Sequence, residues 1–548
     1  MTELKQQTEH VSENENENLD VNVNKYLWNI ADVLRNKMAP HEYMNYILGI
    51  LFIRTVSDKV ENYCDDALAC LNMKFKDIPE DHEEYSSLQT ICLEDMGVFI
   101  KPSQLWSNLM LEHTTNAGFH LTEHLERLIF DIEHCNPWGE NRGNKELPFA
   151  KIFSDLDLTS DKLSKTVKEK NNTLFRVMEY ISKIDRKLFD QNDVLGDAYE
   201  YLIGEFASNI SKNGGEFYTP QAIATLLSKI VTKDKTKVLT AYDPTCGSGS
   251  LLLRLKKETD KMFQDSKFSS PTKFYGQELN HVTYNLARMN MFIHGVNYND
   301  YLIKNEDTLH NPQFQEHDTI INLVGKCEVI VANPPFSADW NPESYKNDSR
   351  FAPFGVTAPK NKADFAFVQL MIHMLSDNGT IAVVVPNGVL FRGSSEGKIR
   401  KQLIQQNILE AVIGLPENIF FGTPIPSCIL ILKKCKQEKG VKIVDGSKFF
   451  KTVKTKNVLT NENIDQIFNA YCTKEDIKNV SKHVSLEELE ENDFNLNVAK
   501  YIYEEEIYQE LNFNVFNAEM KQLKEENDKI LQDLYKAHKE LGIEVFLG

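Results

Sequence analysis

At 548 residues, 41% of them hydrophobic and 26% charged, the chain is too long for a single core and predicts a catalytic-size domain with at least one accessory domain. A formal net charge of −19 excludes a chain that grips nucleic acid by bulk positive charge alone, because affinity for DNA is largely phosphate neutralisation. The longest apolar runs, such as YILGILFI at Tyr46–Ile53, fall far short of the roughly 20 residues that span a bilayer, so no membrane span is expected. Residues 1–24 carry six acids against one lysine with repeated Asn and Glu, and read as a disordered acidic tail without the basic and apolar segments of a secretory signal. Nine cysteines without a C-x-x-C pair argue against a disulfide framework or a zinc ribbon and predict a reduced, cytoplasmic setting.

From Tyr26 apolar residues recur at helical spacing (Leu27, Ile30, Leu34; Tyr46, Ile50, Ile53), with Pro40 between two helices. Helical patterning continues to about residue 190 and predicts an all-helical domain over 25–190. After GGEFYTP the texture changes to β-rich runs: KVLTAYD, TKFYGQE, CEVIVAN, TIAVVVPN, LEAVIGLP and SCILILKK. Most are separated by amphipathic stretches such as HVTYNLARMNMFIHG. Alternation of this kind predicts βαβ units, an α/β class and a parallel sheet covered on both faces, here over 191–480. The linker ENIFFGTPIP is too short for a crossover helix, so the last two runs are expected to form an antiparallel hairpin at one sheet edge. Leu432–Lys456 holds nine lysines and two acids, either a solvated loop or a phosphate-facing surface. In the tail, 481–548, Met520, Leu523, Asn527, Ile530, Leu534, Ala537 and Leu541 alternate three- and four-residue steps, a seam of three heptads that needs a facing helix, from a partner or from its own domain.

The stretch YDPTCGSGSLLLRL follows a strand and opens a helix. Gly247 and Gly249, flanking Ser248, allow close backbone approach to a ligand, and Asp243 stands at the strand's carboxyl end, where doubly wound sheets bind ligands. Leu252 stands where a dinucleotide fingerprint requires its third glycine, and no G-x-x-x-x-G-K-[ST] occurs, so pyrophosphate binding and nucleotide hydrolysis are disfavoured. The next strand ends in Glu278, suited to a ribose diol, and NEDTL places Asp307 to meet an adenine amino group. Each acid alone reads rather as a solvated turn; three at successive strand ends read as a binding site. Upstream, Thr219 is expected to cap a helix with Pro220 at its first position, leaving N–H groups suited to a carboxylate.

Val329, Ile330 and Val331 read as a strand buried on both faces that is stopped by Asn333, Pro334, Pro335 and Phe336. An exocyclic purine amine is a poor nucleophile because its lone pair is delocalised into the ring. The Asn333 side-chain carbonyl and the Pro334 backbone carbonyl suit both amino hydrogens, Pro335 stiffens the turn, and Phe336 offers a face for an extruded base. Transfer from a sulfonium such as S-adenosyl-L-methionine then needs mainly orientation and no metal.

In that order GEFYTP, DPTCGSG, an acid-ending second strand, EDTL and NPPF resemble the amino-methyltransferases of DNA, with NPPF favouring adenine N6. LWNIADVLRNKMAPHEYMNYILGILFIR, FFGTPIPSCILILKK and DFNLNVAKYI are similar to the modification subunit of type I restriction–modification systems, so the resemblance spans 25 to about 503. It implies a Rossmann-like methyltransferase sheet behind a helical N-terminal domain, with S-adenosyl-L-methionine contacted by Glu216, Phe217, Tyr218, Thr219, Pro220, Asp243, Gly247, Ser248, Gly249, Glu278 and Asp307. The same resemblance places the catalytic loop on Asn333, Pro334, Pro335 and Phe336. Implied partners are double-stranded DNA, a specificity subunit flanked by two modification subunits and met by the C-terminal tail, and a separate restriction subunit. Glu306 stands where that family often has Gly. A protein glutamine amide or RNA substrate remains as an alternative for an NPP-aromatic loop, and a non-catalytic scaffold is disfavoured by the intact loop. His120, His124 and Cys135 lack a sensibly spaced fourth ligand, so no metal site is expected. Residues 337–363, directly after NPPF, read either as a mobile lid or as an inert insertion.

Overall fold

The computed structural model describes residues 29–35, 37–139, 146–184, 219–263, 272–312, 314–316, 319–420, 424–453, 456–503 and 513–541. Residues up to 502 form one compact unit and 503–548 a second.

In the first unit, residues 29–184 are helical, without a strand among those described. After α1 (29–35), Pro40 starts α2 (Pro40–Ala67) at a position where its missing N–H costs nothing. Helix α2 is apolar around most of its girth, and Ile47, Leu48, Ile50, Leu51, Phe52, Ile53, Val56 and Val60 are fully buried. It is therefore the central element, wrapped by α3 (Tyr85–Met96), α4 (Trp106–Thr115), α5 (Leu121–Glu133) and α6 (Val167–Ser182). Its buried Arg54 and Asp58, one turn apart, pair with each other. His124 stacks flat on Phe119 (centroids 4.1 Å) and the Cys135 thiol accepts from Phe99 N–H, so both groups have packing roles.

Among the described residues the chain then enters α7 (Gln221–Thr232) and a nine-stranded sheet. Its strands are β1 (Thr240–Asp243), β2 (Lys273–Glu278), β3 (Tyr301–Asn305), β6 (Cys327–Ala332), β7 (Leu375–Pro386), β8 (Leu409–Gly414), β9 (Ser427–Lys433), β10 (Val441–Asp445) and β13 (Ser481–Val484). The order is β13-β10-β8-β9-β7-β6-β1-β2-β3, and all strands are parallel except β9 and β13. Two small hairpins, β4–β5 (Phe314–Glu316, Thr319–Ile321) and β11–β12 (Lys451–Val453, Lys456–Val458), stand outside it. The helices in chain order are α8 (Ser250–Phe263), α9 (His281–Ile293), α10 (Asp364–Met374), α11 (Ser394–Gln405), α12 (Asn461–Cys472), α13 (Leu486–Glu491) and α14 (Val498–Ile502).

Two sequence expectations are corrected here. The β8–β9 pair is antiparallel, but it is not at an edge: β9 lies between β7 and β8, with β10 and β13 beyond. Residues 427–432 of β9 are buried, both faces of the strand being covered and both edges paired, to β7 and to β8. Residues 481–502, expected in the C-terminal tail, belong to the sheet's unit, because β13 pairs with β10. The lysine-rich run is divided. Lys433 lies 3.0 Å from Glu410, Lys436 donates to Leu409 O (2.9 Å), and Lys442 to Glu475 O (2.9 Å). Burial pushes the Lys436 ammonium down to about 8. These three serve the fold, while Lys451 is exposed on the β11–β12 hairpin.

Helix α9 joins the two layers of this unit. Its Leu286, Met289, Phe292 and Ile293 complete the helical core, where Phe292 meets Phe52 edge-on at 5.6 Å. Arg288, buried, donates to Pro148 O (2.6 Å) and Ala150 O (2.9 Å). In the second unit α15 (Phe513–Leu541) carries the heptad seam, with Met520, Leu523, Ile530 and Leu534 exposed. Among the described residues no helix is long and apolar enough to cross a membrane.

Candidate active site at the switch point of the sheet

Strand order reverses at β1: the chain steps outward to β2 and β3, then returns to β6 on the other side. The crevice beyond the carboxyl ends of β1 and β6 is where such a sheet binds ligands. Tyr242 of β1 pairs with Ile330 of β6, so Asp243 and Asn333 emerge from neighbouring strand ends.

After Asp243 the chain turns through Gly247 (φ 54°) and Gly249 (φ 82°) into α8, using backbone conformations that favour glycine. Asp243 is fully buried; its Oδ1 accepts from Thr245 N–H (2.9 Å). Burial pushes its carboxyl up to about 8, helped by the nearby Glu278 carboxylate. Glu278 accepts from Gly247 N–H (3.0 Å) and Asn280 N–H (2.8 Å), which ties the glycine turn to the end of β2, and burial raises its pKa as well. Asp307, exposed, uses Oδ1 to accept from Leu309 N–H (3.0 Å) and His310 N–H (3.3 Å). Asp243 Oδ2 and Ser248 Oγ are buried without a hydrogen-bond partner among the described residues.

A buried knot fixes these three acids relative to one another. Tyr242 Oη donates to Gln277 Oε1 (2.8 Å), Thr308 Oγ1 also donates to it (2.8 Å), and the two hydroxyls lie 3.0 Å apart. Each member is the chain neighbour of one acid: Tyr242 of Asp243, Gln277 of Glu278, Thr308 of Asp307. Asn290 on α9, fully buried, donates to Ser248 O (3.0 Å) and holds the glycine turn from beneath. Sequence reasoning missed all four residues. Asn290 alone left a signal, as the polar residue within the apolar MNMFI end of its helix.

Strand β6 is buried at Val329–Ala332 and stops at Asn333, as its prolines require. Asn333 is itself buried; its Nδ2 donates to Thr219 Oγ1 (3.1 Å), and its Oδ1 has no partner among the described residues. Thr219 is therefore not a helix cap. The N-cap of α7 is Pro220, one residue later than expected, because the Thr219 hydroxyl is committed to the Asn333 amide. Pro334 is buried, Pro335 and Phe336 are half-buried, and the Phe336 ring meets Phe420 edge-on at 5.9 Å. Glu216, Phe217 and Tyr218 lie outside the described residues.

The arrangement offers a glycine-lined acidic crevice beside a rigid, buried amide acceptor. The sequence pattern of the family described as N-6 DNA Methylase matches residues 190–510, which contain every element of this crevice. The chain belongs to the N-6 DNA methylases. The pattern described as HsdM N-terminal domain matches residues 23–181. The chain is 36% identical over 530 residues to the type I restriction enzyme MpnII methylase subunit of Mycoplasma pneumoniae, covering 93% of this chain and 96% of that one. It is 33% identical over 416 residues to the MjaVIII methylase subunit of Methanocaldococcus jannaschii, 70% of each chain. The crystal structure of a type I restriction–modification system methyltransferase subunit from Streptococcus thermophilus superposes with a TM-score of 0.78 at 37% identity, covering 88% of this chain and 99% of that one. Membership of the N-6 DNA methylases selects adenine in DNA over the glutamine-amide and RNA substrates that the loop alone left open.

Proposed function

We propose that this N-6 DNA methylase uses S-adenosyl-L-methionine and holds a flipped-out adenine against Asn333. When bound, the cofactor supplies a methyl group on a positively charged sulfur. The donor set fits such a group. Glu278 suits its ribose hydroxyls, Asp307 the amino group of its adenine, and Asp243 with Ser248 brings two buried polar atoms that await a ligand. Gly247 and Gly249 let the backbone approach closely. Thr219 and Pro220, with Glu216, Phe217 and Tyr218, are assigned to its amino-acid end.

The observation that carries the reading is the state of Asn333. A buried carbonyl oxygen without a donor costs about 1–3 kcal/mol, and the Thr219 hydroxyl fixes which end of the amide is left over. That oxygen accepts one hydrogen of the adenine N6 amine and the Pro334 carbonyl the other, which localises the nitrogen lone pair toward the methyl group. Pro335 keeps the turn rigid and Phe336 stacks on the extruded base.

The enzyme acts in the cytoplasm on double-stranded DNA as the modification subunit of a type I complex, with two copies per specificity subunit and a separate restriction subunit. The exposed seam on α15 meets helices of the specificity subunit, which selects the site and supplies much of the grip that a net charge of −19 withholds. In domain terms, 25–190 forms the helical domain and the sheet-bearing part from 191 is catalytic. The test is transfer of labelled methyl from S-adenosyl-L-methionine to duplex DNA by the chain with its specificity partner. The expected product is N6-methyladenine; labelled protein or RNA with unlabelled DNA would overturn the proposal.

A further inference from the structure

Residues 337–363 follow Phe336 directly and are rich in Asn, Ser, Lys and Pro, yet they fold around a buried centre. Trp340 stacks parallel to Tyr345 (6.1 Å, 7° between planes) and packs on Phe351 at 5.3 Å. Arg350 is 4% exposed; it grips Asp348 through Nε and Nη2 (2.8 Å each), and its guanidinium lies 5.2 Å from Tyr345 and 5.0 Å from Phe351. The two ends of the segment close on each other immediately after the Asn333–Phe336 loop, where Ala363 N–H donates to Ala338 O (3.0 Å) and Ser337 N–H to Asp364 Oδ1 (2.9 Å).

The free donors of this cluster point elsewhere. Arg350 Nη1 donates to Leu309 O (2.7 Å), and Tyr345 Oη lies 2.6 Å from His310 Nδ1. Leu309 and His310 are also the residues whose N–H groups hold the Asp307 carboxylate. The same two residues thus face Asp307 on their N–H side and the 337–363 segment on their other side. An inert insertion has no use for directing the remaining donor of a buried guanidinium, already paired with Asp348, at a carbonyl 41 residues away, a fork geometry that Lys cannot supply.

We propose that Tyr345 and Arg350 are positioning residues for the cofactor, making segment 337–363 a strut between the Asn333 loop and the turn that aims Asp307 at the amino group of the cofactor's adenine. This rests on the reading of Asp307 given above. The strut also links the two ligands physically, because the segment that contacts the Asp307 turn through Tyr345 and Arg350 continues directly from the Asn333–Phe336 loop.

The test uses the full-length chain and calorimetric Kd values for S-adenosylhomocysteine and its 6-oxo counterpart, S-inosylhomocysteine, whose ring offers an oxygen where the amine should be. The wild-type protein should favour the amino form roughly tenfold or more, and Asp307→Asn should erase that preference. Tyr345→Phe, which keeps the ring and its stacking, should cut the preference roughly threefold with Tm unchanged, and Arg350→Met should cut it further. A merely structural role would weaken both ligands equally and leave the ratio intact. If Asp307→Asn changes the ratio and Tyr345→Phe does not, the strut is refuted while the Asp307 assignment stands. If Asp307→Asn itself keeps the wild-type ratio, that assignment fails and the strut fails with it. Should Arg350→Met not fold, Tyr345→Phe decides alone.

Discussion

Replacing Asp243 with Asn should make the protein more stable and deprive it of its cofactor. The carboxyl is fully buried and burial pushes it up to about 8, against an ordinary 3.8. Between those two values the folded protein binds more protons at this site than the unfolded chain, so stability falls as pH rises through the window. The gap of about four units, at about 1.4 kcal/mol each, sets a ceiling of about 6 kcal/mol at pH 8. Rearrangement of protein and water around the charged carboxylate returns part of that, leaving an expected gain for Asp243→Asn of about 1–3 kcal/mol at pH 8. The amide oxygen of Asn still accepts from Thr245 N–H, so the turn keeps its bond. Thermal unfolding of both proteins from pH 5 to 9, with and without S-adenosyl-L-methionine, checks this. The variant's Tm should exceed the wild type's by a few degrees at pH 8, the difference should shrink toward pH 5, and the cofactor should raise only the wild-type Tm. A variant less stable at pH 8, or stabilised by the cofactor like the wild type, would refute the reasoning.

Two further substitutions probe the scaffold. Gly249→Ala keeps its Cβ clear of Ala287, at 3.6 Å, but forces a side chain onto φ 82°; we expect a loss of about 1–2 kcal/mol in stability by denaturant titration and a weaker calorimetric Kd for S-adenosyl-L-methionine. Arg288→Met leaves the Pro148 and Ala150 carbonyls without their buried donor and should cost about 2–4 kcal/mol. Hydrogen exchange should show that loss first at the seam between the helical layer and α9, and uniform destabilisation without local opening would contradict it.

Much of this architecture is legible in the chain because its signals are local. The β-rich runs ending in Asp243, Glu278 and Asn333 name three neighbouring strand ends, and the glycines of the turn name the crevice. Strands β10 and β13 were hidden because VKIVD and SKHV are short and carry lysines; Lys442 is buried with only its Nζ reaching a carbonyl, a use of lysine that sequence cannot distinguish from a solvated loop. The interior place of β9 could have been read from its unbroken apolar run, which fits no edge. The Tyr242–Gln277–Thr308 knot was not legible: its members are 35 and 66 residues apart, and each is a single polar residue beside a more conspicuous acid. Thr219 was misread for the same reason, since its true partner, Asn333, lies 114 residues away.

The central claim is that the free oxygen of the Asn333 amide activates the adenine amine. Its most direct test is single-turnover methyl transfer by Asn333→Ala with the specificity partner, at saturating DNA and cofactor. Losing one preorganised polar contact to the reacting group should lower the rate on the order of 10²- to 10³-fold while the Kd for S-adenosyl-L-methionine stays at its wild-type value. Transfer at the wild-type rate would contradict the account.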